Sequence, residues 1–153
     1  MRKLLLLTMA AALVACDDSS SDPQITETTW QAELAGQGDF ENVSGLVEVV
    51  SKESLTAEIE VEGLEPEGKY SWHIAAGTCS QPGDRVGGAS DYPTLSANAE
   101  GKATATVTIG RRLEASGSYH ASVFFVDEGD EEDEEDDETV VVACGNLEVQ
   151  DDE

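Results

Sequence analysis

The octet Leu55-Thr56-Ala57-Glu58-Ile59-Glu60-Val61-Glu62 alternates apolar and polar side chains without a break. Successive side chains of a strand point to opposite faces, so this segment has one dry face and one face of threonine and glutamate turned to water. A helix, with a period of about 3.6 residues, would scatter the same side chains around its circumference. The pattern recurs. Tyr70, Trp72 and Ile74 point one way, and Ser71, His73 and Ala75 the other. Ala103, Ala105, Val107 and Ile109 alternate with Thr104, Thr106 and Thr108. Period two begins at Trp30. Val43 to Ser51, Tyr119 to Val126 and Thr139 to Cys144 are further strand segments, with Asn146 to Val149 continuing the last. No segment sustains a helical period. About seven or eight short strands, joined by turns such as Gly63-Leu64-Glu65-Pro66-Glu67-Gly68, predict an antiparallel sandwich or barrel. Its core draws on Trp30, Ile59, Val61, Trp72, Ile74, Val107, Ile109, Val123 and Val142. The longest connection runs from Gly77 to about Gly101. Connections of that length are usually functional or pinned, and Cys79 at its start is placed to pin it.

The start of the chain is built differently. Arg2 and Lys3 precede an apolar run, Leu4 to Val14, too short to span a bilayer as a stable helix. The run ends in Leu13-Val14-Ala15-Cys16, which resembles a bacterial lipobox. That resemblance implies that residues 1–15 are a signal peptide, that cleavage leaves Cys16 first, and that a diacylglycerol on its thiol ties the protein to a membrane surface. A plain secretory signal with a chance cysteine is the alternative. Asp17 resembles the inner-membrane retention signal of enteric bacteria. Residues 16–28 are polar around Pro23 and read as a flexible tether. Residues 29–150 then form one domain. The expected location is the periplasmic face of the bacterial cell envelope.

Of three cysteines, Cys16 would carry the lipid. Cys79 and Cys144 remain as an even pair in an exported, oxidising compartment. A disulfide between them would close a loop of about 65 residues, worth roughly 4 kcal/mol in the chain-entropy model. Two free buried thiols are the alternative.

The chain holds 33 Asp and Glu against 8 Lys and Arg, two of which leave with the leader. Such a surface excludes general binding of nucleic-acid phosphates or anionic headgroups. It suits loose association with cations. In residues 127–138 every side chain except Gly129 is acidic. Charges of one sign at that density repel, and a solvated loop between two strands is expected. Calcium takes hard oxygen ligands, but the run lacks the spaced Asp-x-Asp-x-Asp-Gly pattern of a shaped site.

Gly63-Leu64, Trp72-His73-Ile74-Ala75, Cys79 and Ala143-Cys144-Gly145, in that order, resemble the copper/zinc superoxide dismutases. Residues 88–101 resemble the exit of that family's zinc loop, and the acidic run falls where the family has its electrostatic loop. The resemblance covers about residues 30 to 150. It implies a Greek-key β-barrel, also described as a flattened sandwich, with a disulfide from the long metal loop to the final strand. It also implies a copper held by four histidines, one bridging to zinc, and a zinc completed by two more histidines and an aspartate. Imidazole suits both ions. This chain contains two histidines. His73 matches the first histidine of the family's His-x-His pair, but Ala75 takes the second place. Gly88 stands where a zinc histidine is expected, while Asp91 keeps the aspartate position. The last copper histidine falls near Phe124 or Phe125, with His120 several residues too early. Val141 occupies the place of the arginine that guides superoxide, and carboxylates would repel that anion.

The weak metal candidates are therefore His73 and Asp91. His73 and His120 are expected to be strand histidines bonded to nearby backbone or open to water, and Asp91 a turn-forming aspartate. No Gly-x-Ser-x-Gly elbow and no phosphate loop with its lysine is present. The expected function is that of a non-catalytic, lipid-anchored envelope protein on a superoxide dismutase-like scaffold, with a structural or binding role and no cofactor. A divergent superoxide dismutase with a reduced metal site is one alternative. A calcium-binding module using the acidic loop is the other.

Overall fold

The computed structural model describes residues 25–126 and 140–150. The leader, Cys16, Asp17, most of the tether and the acidic run 127–138 lie outside the described residues.

Among the described residues nine strands make one antiparallel sheet: β1 (Thr28–Gly36), β2 (Ser44–Ser51), β3 (Leu55–Glu62), β4 (Lys69–Thr78), β5 (Gln81–Arg85), β6 (Leu95–Ser96), β7 (Ala103–Ile109), β8 (Tyr119–Phe125) and β9 (Val141–Gln150). The order across the sheet is β5-β4-β8-β9-β1-β2-β3-β7, with β6 paired to β4. The sheet curls strongly on itself, as in a flattened barrel. β3 lies beside β2 and β7, and β4 beside β5 and β8, so the chain crosses the barrel end from β3 to β4 and again from β7 to β8. Those two crossings are the Greek-key element of the fold.

The alternation read from the octet is realised in full: β3 buries every second residue over its whole length. All nine expected core residues are buried. Tyr70, Leu55, Val47, Val49 and Leu95 complete the interior with no measurable exposure. Burying a side chain of this kind is worth roughly 1.5–3 kcal/mol each. Trp30 meets Tyr119 edge to face at 5.4 Å, and Trp72 meets Tyr92 in the same manner at 5.2 Å.

Two features differ from expectation, and one, the continuation of the last strand, matches it. β1 opens at Thr28, one residue inside the stretch read as tether, because Thr28 and Thr29 already pair with Ser51 and Val50. Asn146 to Gln150 belong to the same strand as Cys144, continuous from Val141. The long connection after Gly77 carries β5, a 3-10 turn at Ala89–Asp91 and β6. Its composition hid these pieces, since every residue of β5 is exposed and no alternation marks it.

Two glycines set the ends of β3 and β4. Gly63 has φ +79°, and a Cβ there would collide with the Asn42 carbonyl, so the turn that starts the first crossing needs glycine. Gly77 has φ +85° beside the irregular register between β4 and β5. It bends the end of β4 so that Cys79 turns back over the sheet.

Candidate functional site

β4, β8 and β9 lie side by side, and their register decides which side chains meet. His73 pairs with Ser122, and Ser122 with Cys144. One step along, Ala75 pairs with His120, and His120 with Asn146. Directly opposed residues share a face. Trp72 and Ile74 point into the core, so His73, His120, Ser122, Phe124 and Cys144 share the outer face.

That face is not open. Cys79 and Cys144 form a disulfide with a Cα–Cα distance of 6.0 Å. β4 and β9 are not neighbours, so the bond passes over β8. The Cys79 N–H donates to Asn146 Oδ1 at 2.9 Å, which holds the start of the loop down as well. Ser122 Oγ lies 3.1 Å from Cys144 Sγ beneath it. Together with Gln37, Pro82 and Val141, these residues leave a cleft of about 210 Å³ lined by His73, His120, Ser122 and Phe124.

His120 differs from the bonded-or-wet expectation. His120 is 2% exposed, and its Nδ1 has no hydrogen-bond partner. The disulfide and Pro82 cover a strand face that composition alone reads as half-solvated. His73 is partly buried and stacks on Phe124, with ring centroids 4.7 Å apart and planes 25° from parallel. Burial, then the Arg85 guanidinium, then His120 push its imidazole down from 6.5 to about 4, so it is neutral at pH 7.

Asp91 acts as a turn former, as expected. Its Oδ2 accepts from the Gly88 N–H at 2.7 Å, closing the short 3-10 turn. The neighbouring Tyr92 donates to the Val86 carbonyl at 2.6 Å, and burial raises its hydroxyl to about 12. Of the two phenylalanines at the expected histidine position, Phe124 faces His73, while Phe125 turns to Tyr70 at 5.8 Å. Among the described residues no three of His, Cys, Asp and Glu are grouped around a common point as an ion would need. The donor set also fails by type: Ala75, Gly88 and Phe124 offer no ligating side chain at three of the positions the resemblance calls for, and Asp91 is spent on its own turn.

Sequence reading missed the meeting of His73 with His120. The signal was there in part, since His120, Ser122 and Phe124 alternate with Ala121, Val123 and Phe125. The register that brings β8 against β4 was not. No protein-family model matches this chain, and no curated protein matches its sequence.

Proposed function

We propose that this protein is a non-catalytic, lipid-anchored protein of the bacterial envelope, built on a superoxide dismutase-like barrel and serving a structural or binding role. The observation that carries the reading is the stacking of Phe124 on His73. An apolar ring fills the place where the resemblance calls for a copper histidine, and a chain with two imidazoles has too few to hold copper and zinc in the family's manner. The disulfide from the long loop to the strand carrying Ala143-Cys144-Gly145 supports the scaffold part of the reading. The Leu13-Val14-Ala15-Cys16 motif supports the anchor.

The test is made on the mature chain, as exported, with its disulfide intact. Copper and zinc are added, the protein is desalted, and retained metal and superoxide consumption are measured. Retention well below one copper per chain and no consumption above that of the buffer are expected. One copper held per chain with superoxide consumption would overturn the non-catalytic reading. Mass spectrometry of the N-terminal peptide tests the anchor, with a diacylated Cys16 as the expected product and an unmodified Cys16 as the refuting one.

A further inference from the structure

The cleft beneath the Cys79–Cys144 bond combines an apolar lining with two imidazoles. Phe124, Pro82 and Val141 supply the first, His73 and His120 the second. Among the described residues no Asp, Glu, Lys or Arg lines it. We propose that this cleft binds a small neutral phenol, a single flat ring carrying a hydroxyl. The hydroxyl bonds to the His120 imidazole, and the ring lies against Phe124, Pro82 and Val141.

Size sets the first limit. The cleft holds about 210 Å³. Apolar cavities of about 150 Å³ take up a benzene ring, while sites for larger organic ligands begin near 300 Å³. One ring with one small substituent falls between these bounds. The lining suits a ring as well. Phe124 and His73 stack with centroids 4.7 Å apart, and aromatic surfaces of this kind add attraction beyond simple burial. The roof is already in place. A covalent bond spans β8, and the Cys79 N–H bond to Asn146 Oδ1 holds its loop side down. A ligand entering a preformed cleft has no loop to order, which removes one of the usual costs of binding.

His120 supplies the polar anchor. It is 2% exposed, and its Nδ1 is enclosed without a partner. Among the described residues its Nε2 makes no hydrogen bond either. Nε2 is not sealed off as Nδ1 is, so it is the nitrogen that meets the cleft. A buried polar ring without partners costs stability, and a ligand that bonds to it recovers part of that cost. A hydroxyl both donates and accepts. It therefore satisfies Nε2 whichever nitrogen of the neutral ring carries the proton. A ketone serves only one of the two tautomers, and a hydrocarbon serves neither.

Charge selects against ions of both signs. The Arg85 guanidinium acts on His73 and opposes a cation, and His73 itself is neutral at pH 7. The chain as a whole, at a formal charge of −25, repels carboxylates and phosphates. A phenolic hydroxyl titrates near 10 and so stays neutral at pH 7. The inference needs only the cleft, and stands or falls apart from the membrane anchor and from the absence of catalysis.

The experiment titrates the mature chain, disulfide intact, with phenol, and with toluene as the probe that lacks the hydroxyl. Proton NMR of the two imidazole rings reports binding. Phenol is expected to shift the His120 ring signals saturably, with a Kd on the order of 1 mM or tighter. Toluene should bind at least about tenfold more weakly, because it leaves the imidazole unpaired. His120→Phe should abolish the preference for phenol over toluene. Should that variant fail to fold, Val141→Trp replaces it: Val141 is 38% exposed, so the larger ring is tolerated at the rim and narrows the mouth. Phenol should then bind at least about tenfold more weakly, with the circular dichroism of the parent chain. No saturable shift up to about 20 mM phenol would overturn the proposal. Equal affinity for phenol and toluene would also overturn it, since His120 would then take no part. Unchanged phenol binding by folded Val141→Trp would place the ligand elsewhere and refute it too.

Discussion

β3 and β8 bury the same kind of inner face and differ on the outer one. β3 alternates buried and exposed from end to end, with Thr56, Glu58, Glu60 and Glu62 in water. On β8 the outward His120 and Ser122 are 2% and 4% exposed. The difference lies in what crosses each strand. Nothing described passes over β3, whereas the Cys79–Cys144 bond ties the start of the long connection to β9 above β8. Alternation in a sequence therefore reports the two faces of a strand only where one of them stays wet. Where a loop is clamped down, both faces are dry and the pattern fades into a run of small and apolar residues such as Ala121-Ser122-Val123-Phe124.

The clamped side depends on its loop, and the residue that holds the loop from inside is Trp72. It is 2% exposed, meets Tyr92 edge to face, and its Nε1 donates to the Pro93 carbonyl at 2.9 Å. Trp72→Ala should cost about 4 kcal/mol, from lost burial and the cavity left behind. Urea unfolding followed by circular dichroism measures it. A cost below about 1 kcal/mol would mean that the disulfide alone holds the loop, and the contrast between the two sides would then rest on one bond.

What could be read from the residues follows the same division. The strands with a wet face, β3 and β7 above all, have their boundaries and core residues legible in the chain, since water enforces the period. The disulfide was legible by counting cysteines, and the Asp91 turn by the chemistry of aspartate. The surroundings of His73 and His120 were not. They depend on the pairing of residues 73 with 122 and 75 with 120, and on a loop laid over both. Neither leaves a local mark. β5 escaped notice for a related reason: it is an edge strand with Pro82 and Gly83 in it and nothing buried.

A smaller effect sharpens the comparison from the covered side. The His73 imidazole falls from 6.5 to about 4 on folding, through burial first and Arg85 and His120 after it. Between those values the unfolded chain takes up a proton that the folded chain refuses. Stability from this group is fully present above 6.5 and is lost as pH drops toward 4. At about 1.4 kcal/mol per unit the full shift would be worth roughly 3 kcal/mol. The ring is only partly shielded, so solvent screening reduces this to about 1–2 kcal/mol. Denaturation midpoints compared at pH 7 and about pH 5.5, a span that spares most carboxylates, should fall for this chain and fall less for His73→Gln. Equal losses in both would place the pH dependence elsewhere and leave the covered face no more sensitive than the wet one.

The smallest effect belongs to the wet side. Glu48 on β2 and Glu58 on β3 are directly opposite, both outward and both exposed. Like charges in that position repel, at a cost of roughly 0.2–1 kcal/mol. Leu46 opposite Glu60 and Thr106 opposite Glu58 offer no counter-charge. Glu58→Lys turns the repulsion into an ion pair and should raise stability by about 0.5 kcal/mol at low salt. The gain should shrink at 1 M salt, where the screening length is about 3 Å. The same octet that announces the fold thus carries charge placed against stability, and water is what makes the arrangement tolerable. A gain that survives high salt would have to come from lysine's stem packing on the sheet. The outer face of β3 would then be a packing surface, and the distinction from β8 would be one of degree.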